Sequence, residues 1–115
     1  MEHLTPQQVA AWVADAARLP PVLLDVREPW EFEKAHITGS VLMPMSTLPS
    51  RLAEIEALQE ASTEAGQSIV CICHHGARSM QVAAFLERHG LENIVNMSGG
   101  VHAWSQQVDP TMPTY

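Results

Sequence analysis

The stretch SIVCICHHGARSMQVAAFLERHG, residues 68–90, carries the strongest structural signal in this chain. It opens with a predicted strand at 68–72, in which residues 69–72 are all apolar, as is typical of a strand buried on both faces of a parallel sheet. Residues 78–89 follow with helical spacing and with apolar side chains nearly all round, so we expect a well-buried helix. Gly90 stands where a left-handed residue ends such a helix. The apolar residues of the predicted helix are Met80, Val82, Ala83, Phe85 and Leu86.

Outward from this segment, strand and helix patterns alternate. Thr5 and Gln8 form a capping box around Pro6, which predicts a helix start, and apolar side chains continue at helical spacing as far as Ala17. The apolar face of this first helix comprises Val9, Trp12, Val13, Ala16 and Ala17. Further strands are predicted at 22–24, 41–42 and 93–97, and further helices at 28–35, 49–61 and 101–107, with Gly66 as a break before the central strand.

This alternation predicts a single α/β domain over residues 1–115. We expect a mostly parallel central sheet of about five strands with helices on both faces. In such sheets ligands bind beyond the carboxyl ends of the strands. The loop that begins at Cys73 lies at that edge, as do Asp25 and Arg27 and the pair Gly99-Gly100.

Composition and charge restrict the possible functions. With 115 residues and 46% hydrophobic content, the chain can bury a core without disulfides. Its formal net charge of −7 argues against nucleic acid and anionic membrane surfaces as partners. No apolar run reaches membrane-spanning length, and no signal peptide is visible. The only cysteines, Cys71 and Cys73, are one residue apart, which disfavours an unstrained bridge and indicates a reducing, cytoplasmic environment.

The segment CICHHGARS, residues 71–79, is compatible with several chemistries. A zinc site is disfavoured, because adjacent ligands cannot easily close a tetrahedron and no distant second ligand pair exists. A thioredoxin-like redox pair needs two residues between its cysteines, and here there is one. We therefore expect no metal, and we expect Cys71 to be a small core residue.

A nucleophilic role suits Cys73 better. A thiolate at this position faces the backbone N–H groups of 74–78 and the positive end of the helix dipole, both of which favour the anion. Gly76 permits an unusual backbone conformation, Arg78 adds a fixed positive charge, and Ser79 can cap the helix. The alternative is an ordinary strand-to-helix turn with a buried cysteine. Gly76 and Arg78 together favour the reactive thiolate.

The pattern Cys73-x-x-Gly76-x-Arg78-Ser79 resembles the active-site loop of the rhodanese-like sulfurtransferases. Residues 24–40 resemble that family's D-V-R…E-F…G-H-I-x-G-A segment, and residues 96–104 resemble its G-G-x-x-x-W segment. The motifs occur in the family's order, so the resemblance covers residues 4–115. The departures are Ala35, Thr38 and Ser40, where the family usually has glycine, proline and alanine.

The resemblance implies a sulfurtransferase in which Cys73 takes sulfur from a small anionic donor such as thiosulfate. The resulting persulfide then passes its sulfur to a thiol or cyanide, without a metal or organic cofactor. The alternative is a persulfide carrier or interaction module that accepts sulfur from a relay partner protein and has weak thiosulfate activity. The implied substrate-binding loop comprises His74, His75, Gly76, Ala77, Arg78 and Ser79. We expect both histidines to line the pocket, where partial protonation aids anion binding.

Residues outside the loop are expected to support it. Asp25 and Arg27 are predicted to form a structural ion-pair network with Glu31 or Glu33.

Phosphate chemistry is disfavoured by the length of the loop. Phosphatases that resemble rhodaneses carry five residues between cysteine and arginine, whereas four separate Cys73 from Arg78 and six separate Cys71 from it. The resemblance therefore implies a loop sized for a sulfur atom, which disfavours an arsenate reductase or a phosphatase.

Overall fold

A computed structural model describes residues 1–60 and 67–115 of the chain; the predictions for Ala61 and Gly66 lie outside these residues. The described elements alternate between strand and helix. In chain order they are β1 (Glu2–Leu4), α1 (Pro6–Ala14), β2 (Val22–Asp25), α2 (Pro29–Lys34), β3 (Val41–Leu42), a 3₁₀ helix (Met45–Ser50), α3 (Leu52–Glu60), β4 (Ile69–Ile72), α4 (Ala77–Arg88), β5 (Ile94–Met97) and α5 (Gly100–Gln107).

The five strands form one sheet in the order β1-β5-β4-β2-β3, and every described pairing is parallel. The central strand, β4, pairs with β2 through Leu24 and Cys71 and with β5 through Cys71 and Asn96. Because parallel strands end at the same edge, the residues that follow β2, β4 and β5 lie side by side. The predicted α/β class and the parallel sheet are confirmed.

Both faces of the sheet are covered, which explains the unbroken apolar run of β4. Ile69 and Cys71 pack on one face with residues of α3 and α4, while Val70 and Ile72 pack on the other with residues of α1 and α5. All four residues of β4 are 0% exposed. Successive side chains of a strand point to opposite faces, so one short segment joins the two cores.

Three details differ from the sequence-based predictions. The strand β1 was not predicted, because this edge strand carries the polar, mostly exposed residues Glu2 and His3 rather than an apolar run. The helix α1 ends at Ala14, where Asp15 takes an extended conformation, so Ala16 and Ala17 are not part of it. Trp12 Nε1 donates to the Leu19 carbonyl at 2.9 Å and holds the chain that follows the helix. Val13, predicted on the apolar face, is 44% exposed.

The helices α3 and α4 also differ in detail. The predicted helix at 49–61 begins later, at Leu52, because a 3₁₀ helix precedes it. Met80 is 46% exposed rather than buried, and Phe85 is only partly buried. The face of α4 that meets the sheet is narrower than its apolar composition suggests, and it consists of Ser79, Val82, Ala83 and Leu86.

The start of α5 is tied to the loop that follows β4. Gly99 and Gly100 have φ of +79° and +62°, in the left-handed region. This conformation directs Val101 N–H to the Cys73 carbonyl at 2.8 Å and His102 N–H to the His74 carbonyl at 3.0 Å. The first amides of α5 therefore satisfy the carbonyls of this loop.

We predict that Gly100→Ala destabilises the protein by about 3 kcal/mol or more. A Cβ on Gly100 would meet the carbonyl oxygens of Cys73 and His74, in addition to the cost of a left-handed backbone. Gly39→Ala is the matched control, because Gly39 has φ +85° and nothing within 4 Å of a built Cβ. It should lose only about 1–2 kcal/mol. Urea unfolding of both variants measures the difference, and equal losses would show that the close approach is unimportant.

Candidate active site

The sulfur of Cys73 lies at the junction of β4 and α4. Its Sγ accepts a hydrogen bond from Gly76 N–H at 2.9 Å and lies 3.3 Å from Ser79 Oγ. Gly76 has φ +105° and immediately precedes α4, and a built Cβ there would lie 3.1 Å from Gly99 N. The first amides of a helix have no intrahelical acceptor, and they carry the positive end of its dipole. Both effects make this a position that attracts negative charge.

Cys71 is not equivalent to Cys73. It is 0% exposed within β4. Burial, followed by the nearby charge of Cys73, raises the pKa of Cys71 to about 12. Cys71 therefore stays a neutral thiol near neutral pH, so of the two sulfurs it is the one unsuited to be a nucleophile.

Behind the sulfur runs a line of polar groups, in which Ser79 and Asn96 are buried. Ser79 Oγ lies 2.5 Å from Asn96 Oδ1 and 3.2 Å from the Gly76 carbonyl oxygen, and Asn96 Nδ2 lies 3.3 Å from His3 Nδ1. A hydroxyl has one proton, so Ser79 can donate to only one of its acceptors at a time. A Cys73 thiol can donate to Ser79, whereas a thiolate must receive the Ser79 proton. Sequence reasoning missed Asn96, although a polar residue inside an apolar strand was a usable signal.

Arg78 is held by a carboxylate from α2. Its Nη1 and Nη2 donate to Glu31 Oε1 and Oε2 at 2.7 and 2.9 Å. Glu31 also accepts from Glu28 N–H at 3.0 Å and from the Tyr115 hydroxyl at 2.9 Å. The hydrogen bonds from Arg78 are the main reason that the pKa of Glu31 falls to about 2. The fixed positive charge expected at Arg78 is thus paired with a carboxylate. Of the two glutamates considered for the ion-pair network of Asp25 and Arg27, Glu31 is the one joined to it, through Tyr115, while Glu33 is exposed.

Asp25 and Arg27 form a second, fully buried ion pair. Arg27 Nη2 donates to Asp25 Oδ2 and to the Ala35 carbonyl, both at 2.7 Å, and Nη1 donates to the Tyr115 hydroxyl at 2.6 Å. Both ionic residues are 0% exposed. Among the described contacts, neither touches Cys73. Their place is structural: they fix the end of β2 and, through Tyr115, the carboxylate that holds Arg78.

Aromatic rings cover the loop from the solvent side. The Tyr115 ring stacks on the His74 ring at 4.1 Å between centroids, and the exposed Trp30 packs edge-on against Tyr115. Burial, and then the proximity of His75, lowers the pKa of His74. This shift disfavours the protonated form of His74, so it does not support the expectation that protonated His74 assists anion binding. Tyr115 was missed, since the sequence of its segment indicated only an irregular tail.

Of the loop residues predicted from the sequence, two contact the sulfur. Gly76 and Ser79 contact it, Ala77 begins α4, and His75 is exposed beside His74. Within residues 1–60 and 67–115, no three His, Cys, Asp or Glu side chains are grouped so as to hold a metal ion. In the same part of the chain, no helix is both long and apolar enough to cross a membrane.

The fold and this loop agree with a family of known proteins. A family model described as the rhodanese-like domain matches residues 5–107. The chain belongs to the rhodanese-like domain family. A protein of Allochromatium vinosum named sulfurtransferase is 32% identical to this rhodanese-like domain over 85 residues, which are 74% of this chain and 72% of that protein.

Longer relatives carry a similar domain as one part. Adenylyltransferase and sulfurtransferase MOCS3-2 of Zea mays is 36% identical over 96 residues, 84% of this chain. The match spans only 20% of the maize protein, and a comparable match spans 26% of the probable adenylyltransferase/sulfurtransferase MoeZ of Mycobacterium tuberculosis. The chain thus spans about a fifth to a quarter of the length of these relatives.

Solved structures show the same fold. A rhodanese-related protein from Thermoplasma volcanium superimposes with a TM-score of 0.74 at 28% identity, covering 94% of each chain. A yeast protein described as a tyrosine phosphatase of the rhodanese family gives a TM-score of 0.75 at 20% identity, covering 92% of this chain and 85% of the yeast chain. At that identity, the likeness to the yeast protein concerns the fold alone.

We predict that Ser79→Ala slows alkylation of Cys73 by iodoacetamide by about tenfold, because a thiolate loses a hydroxyl donor worth about 1.5 kcal/mol. Ser105→Ala is the matched control: Ser105 is also buried and also donates to a carbonyl three residues earlier, that of His102. It should leave the alkylation rate within about twofold. Quenching the alkylation at a series of times, at fixed pH, measures the rate in both variants. Equal slowing would show that Ser79 has no specific role at Cys73.

The depressed pKa of Glu31 predicts how stability depends on pH. The folded-state pKa, about 2, lies below the ordinary value of 4.5, so the carboxylate contributes stability above the ordinary value and loses it as pH falls towards 2. The contribution is at most about 3 kcal/mol, and less because Arg78 is partly exposed to solvent. The difference in unfolding free energy between wild type and Glu31→Gln should therefore shrink from pH 6 to pH 3. A difference that does not change with pH would contradict the pairing with Arg78.

Proposed function

We propose that this rhodanese-like domain transfers sulfane sulfur through a persulfide on Cys73. Its relatives include proteins named as sulfurtransferases, and a donor such as thiosulfate supplies the sulfur. The Cys73 thiolate attacks the outer sulfur of the donor, the bond between the two donor sulfurs breaks, and sulfite leaves with the bonding electron pair. A thiol or cyanide then attacks the terminal sulfur of the persulfide and regenerates the thiolate.

The observation that supports this proposal is the position of the sulfur between Gly76 N–H and Ser79 Oγ, at the start of α4. In this proposal, Gly76 N–H and the first amides of α4 bind the negative terminal sulfur of the persulfide. Cys73 is only 1% exposed, so a donor reaches it with a small terminal atom rather than with a bulky group. An outer sulfur meets this condition.

The substrate-binding role extends to the loop residues His74, His75, Gly76, Ala77, Arg78 and Ser79. In this proposal, Gly76 and Ser79 hold the sulfur, while the amides of the loop bind the anion. Glu31 holds the Arg78 guanidinium in place. Asp25 and Arg27 support Glu31 through the Tyr115 hydroxyl. None of these steps needs a metal or an organic cofactor.

A phosphatase activity is the weaker candidate for this site. Four residues separate Cys73 from Arg78, and the first amides of α5 bind the carbonyls of Cys73 and His74, which leaves little freedom to widen the loop. The guanidinium that a phosphate would require is paired with Glu31.

A sulfur-relay partner is part of the proposal. Relatives such as MOCS3-2 and MoeZ carry both adenylyltransferase and sulfurtransferase in their names, so a protein donor or acceptor is consistent with their domain arrangement. The two cysteines are free thiols, which suits a reducing compartment such as the cytoplasm.

Intact-protein mass spectrometry after incubation with thiosulfate tests the proposal. We expect wild type to gain the mass of one sulfur atom and to lose it when cyanide is added. Cys73→Ser should gain nothing, because the nucleophile is absent. Cys71→Ala should still gain the sulfur, because Cys71 stays a buried thiol. A gain that follows Cys71 instead of Cys73, or no gain from any sulfane donor, would overturn the assignment.

A further inference from the structure

The charges around Cys73 cancel in pairs. Arg78 is joined to Glu31 by two hydrogen bonds, of 2.7 and 2.9 Å, and Arg27 is joined to Asp25. Burial lowers the pKa of the neighbouring His74, which disfavours a positive charge on its ring. The described groups at the sulfur therefore offer backbone amides and a hydroxyl, with no net positive charge from these pairs.

The carboxylate of the Arg78–Glu31 ion pair is buried and is held in place by other donors. The Glu31 side chain is only 5% exposed and the Arg78 side chain is 35% exposed. Glu31 is also held by Glu28 N–H and by the Tyr115 hydroxyl, so its carboxylate stays in place when the guanidinium moves. An anion that recruits Arg78 must compete with this fixed carboxylate.

We propose that Glu31 is a specificity-determining residue: by neutralising Arg78, it makes the site favour sulfane donors with one negative charge, such as alkyl persulfide anions and thiosulfonate anions, over the thiosulfate dianion. This inference rests on the proposed function, because it concerns the donor used at the same sulfur. Glu31 acts through Arg78 and not on the reacting atoms.

The charge balance of the reaction explains why one charge matters. The Cys73 thiolate and thiosulfate together carry three negative charges, and so do the persulfide and the departing sulfite. With the methanethiosulfonate anion, which transfers its outer sulfur and releases methanesulfinate, both sides carry two. A positive potential at the site stabilises a dianion twice as strongly as a monoanion. Neutralising Arg78 therefore penalises thiosulfate more than the thiosulfonate.

The test compares these two donors, which share the same outer-sulfur chemistry and differ by one charge. Glu31→Gln keeps the shape and an acceptor oxygen for Glu28 N–H, but it unmasks the charge of Arg78. We expect kcat/KM to rise for both donors, and the ratio of thiosulfate to methanethiosulfonate to rise about tenfold. Dividing by the wild-type ratio removes the intrinsic difference between the leaving groups.

The matched control is Glu33→Gln, which removes the same charge from an exposed position of the same helix. Its effect on the donor ratio should stay below about threefold, because solvent and salt screen an exposed charge. Adding Arg78→Gln to Glu31→Gln removes both members of the pair and should return the ratio towards the wild-type value. An equal effect of Glu33→Gln and Glu31→Gln would assign the preference to the overall charge and overturn the role of the pair.

Salt dependence gives a readout on the unmodified protein, so the test survives if Glu31→Gln does not fold. With Arg78 neutralised and a formal net charge of −7, the wild-type kcat/KM for thiosulfate should stay constant or rise with ionic strength. A steep fall would mean that an unpaired cation recruits the dianion, and it would contradict the inference.

The two proposals fail in different ways. If wild type gains sulfur at Cys73 from neither donor, the proposed function fails. If it gains sulfur from at least one donor but Glu31→Gln leaves the donor ratio unchanged, sulfur transfer stands and the specificity role of Glu31 is lost.

Discussion

The site depends on the bonds between α5 and the loop that follows β4. Two carbonyls of this loop, those of Cys73 and His74, are bound by the first amides of α5. These bonds hold the loop where Gly76 N–H reaches Cys73 Sγ at 2.9 Å. Gly100 makes this approach possible, since any side chain there would meet both carbonyls. These two hydrogen bonds from the start of α5 therefore fix the position of the loop between β4 and α4.

Two ion pairs, linked through Tyr115, support that loop. The Asp25–Arg27 pair is buried at the end of β2, and the Tyr115 hydroxyl links it to Glu31, which in turn holds Arg78. A buried pair of this kind is costly to break, because removal of one partner leaves an unpaired charge. The position of the loop arginine is therefore determined by groups that do not contact the sulfur.

Short sequence patterns predicted the parts of the structure that depend on neighbouring residues. The apolar run of β4, the capping box at Thr5 and the spacing from Cys73 to Arg78 each involve a few consecutive residues, and each is found in the structure. The contacts that define the charge of the site join distant residues: 47 positions separate Arg78 from Glu31, and 88 separate Arg27 from Tyr115. No periodicity reveals such pairs, so the sequence left both Glu31 and Glu33 open and gave Tyr115 no role. The short strand β1 was not predicted for a related reason: an edge strand can pair through its backbone without an apolar side-chain pattern.

The polar line behind the sulfur reaches the edge of the sheet. Asn96 lies on β5, and its amide approaches His3 on β1, which pairs with β5 alone. Ser79 has one hydroxyl proton to donate. When it donates this proton to a Cys73 thiolate, Asn96 Oδ1 loses its hydrogen-bond donor. An edge strand opens more readily than a central one. The Ser79 hydroxyl and the Asn96 side chain thus form a polar connection from the sulfur to the edge strand, two strands away.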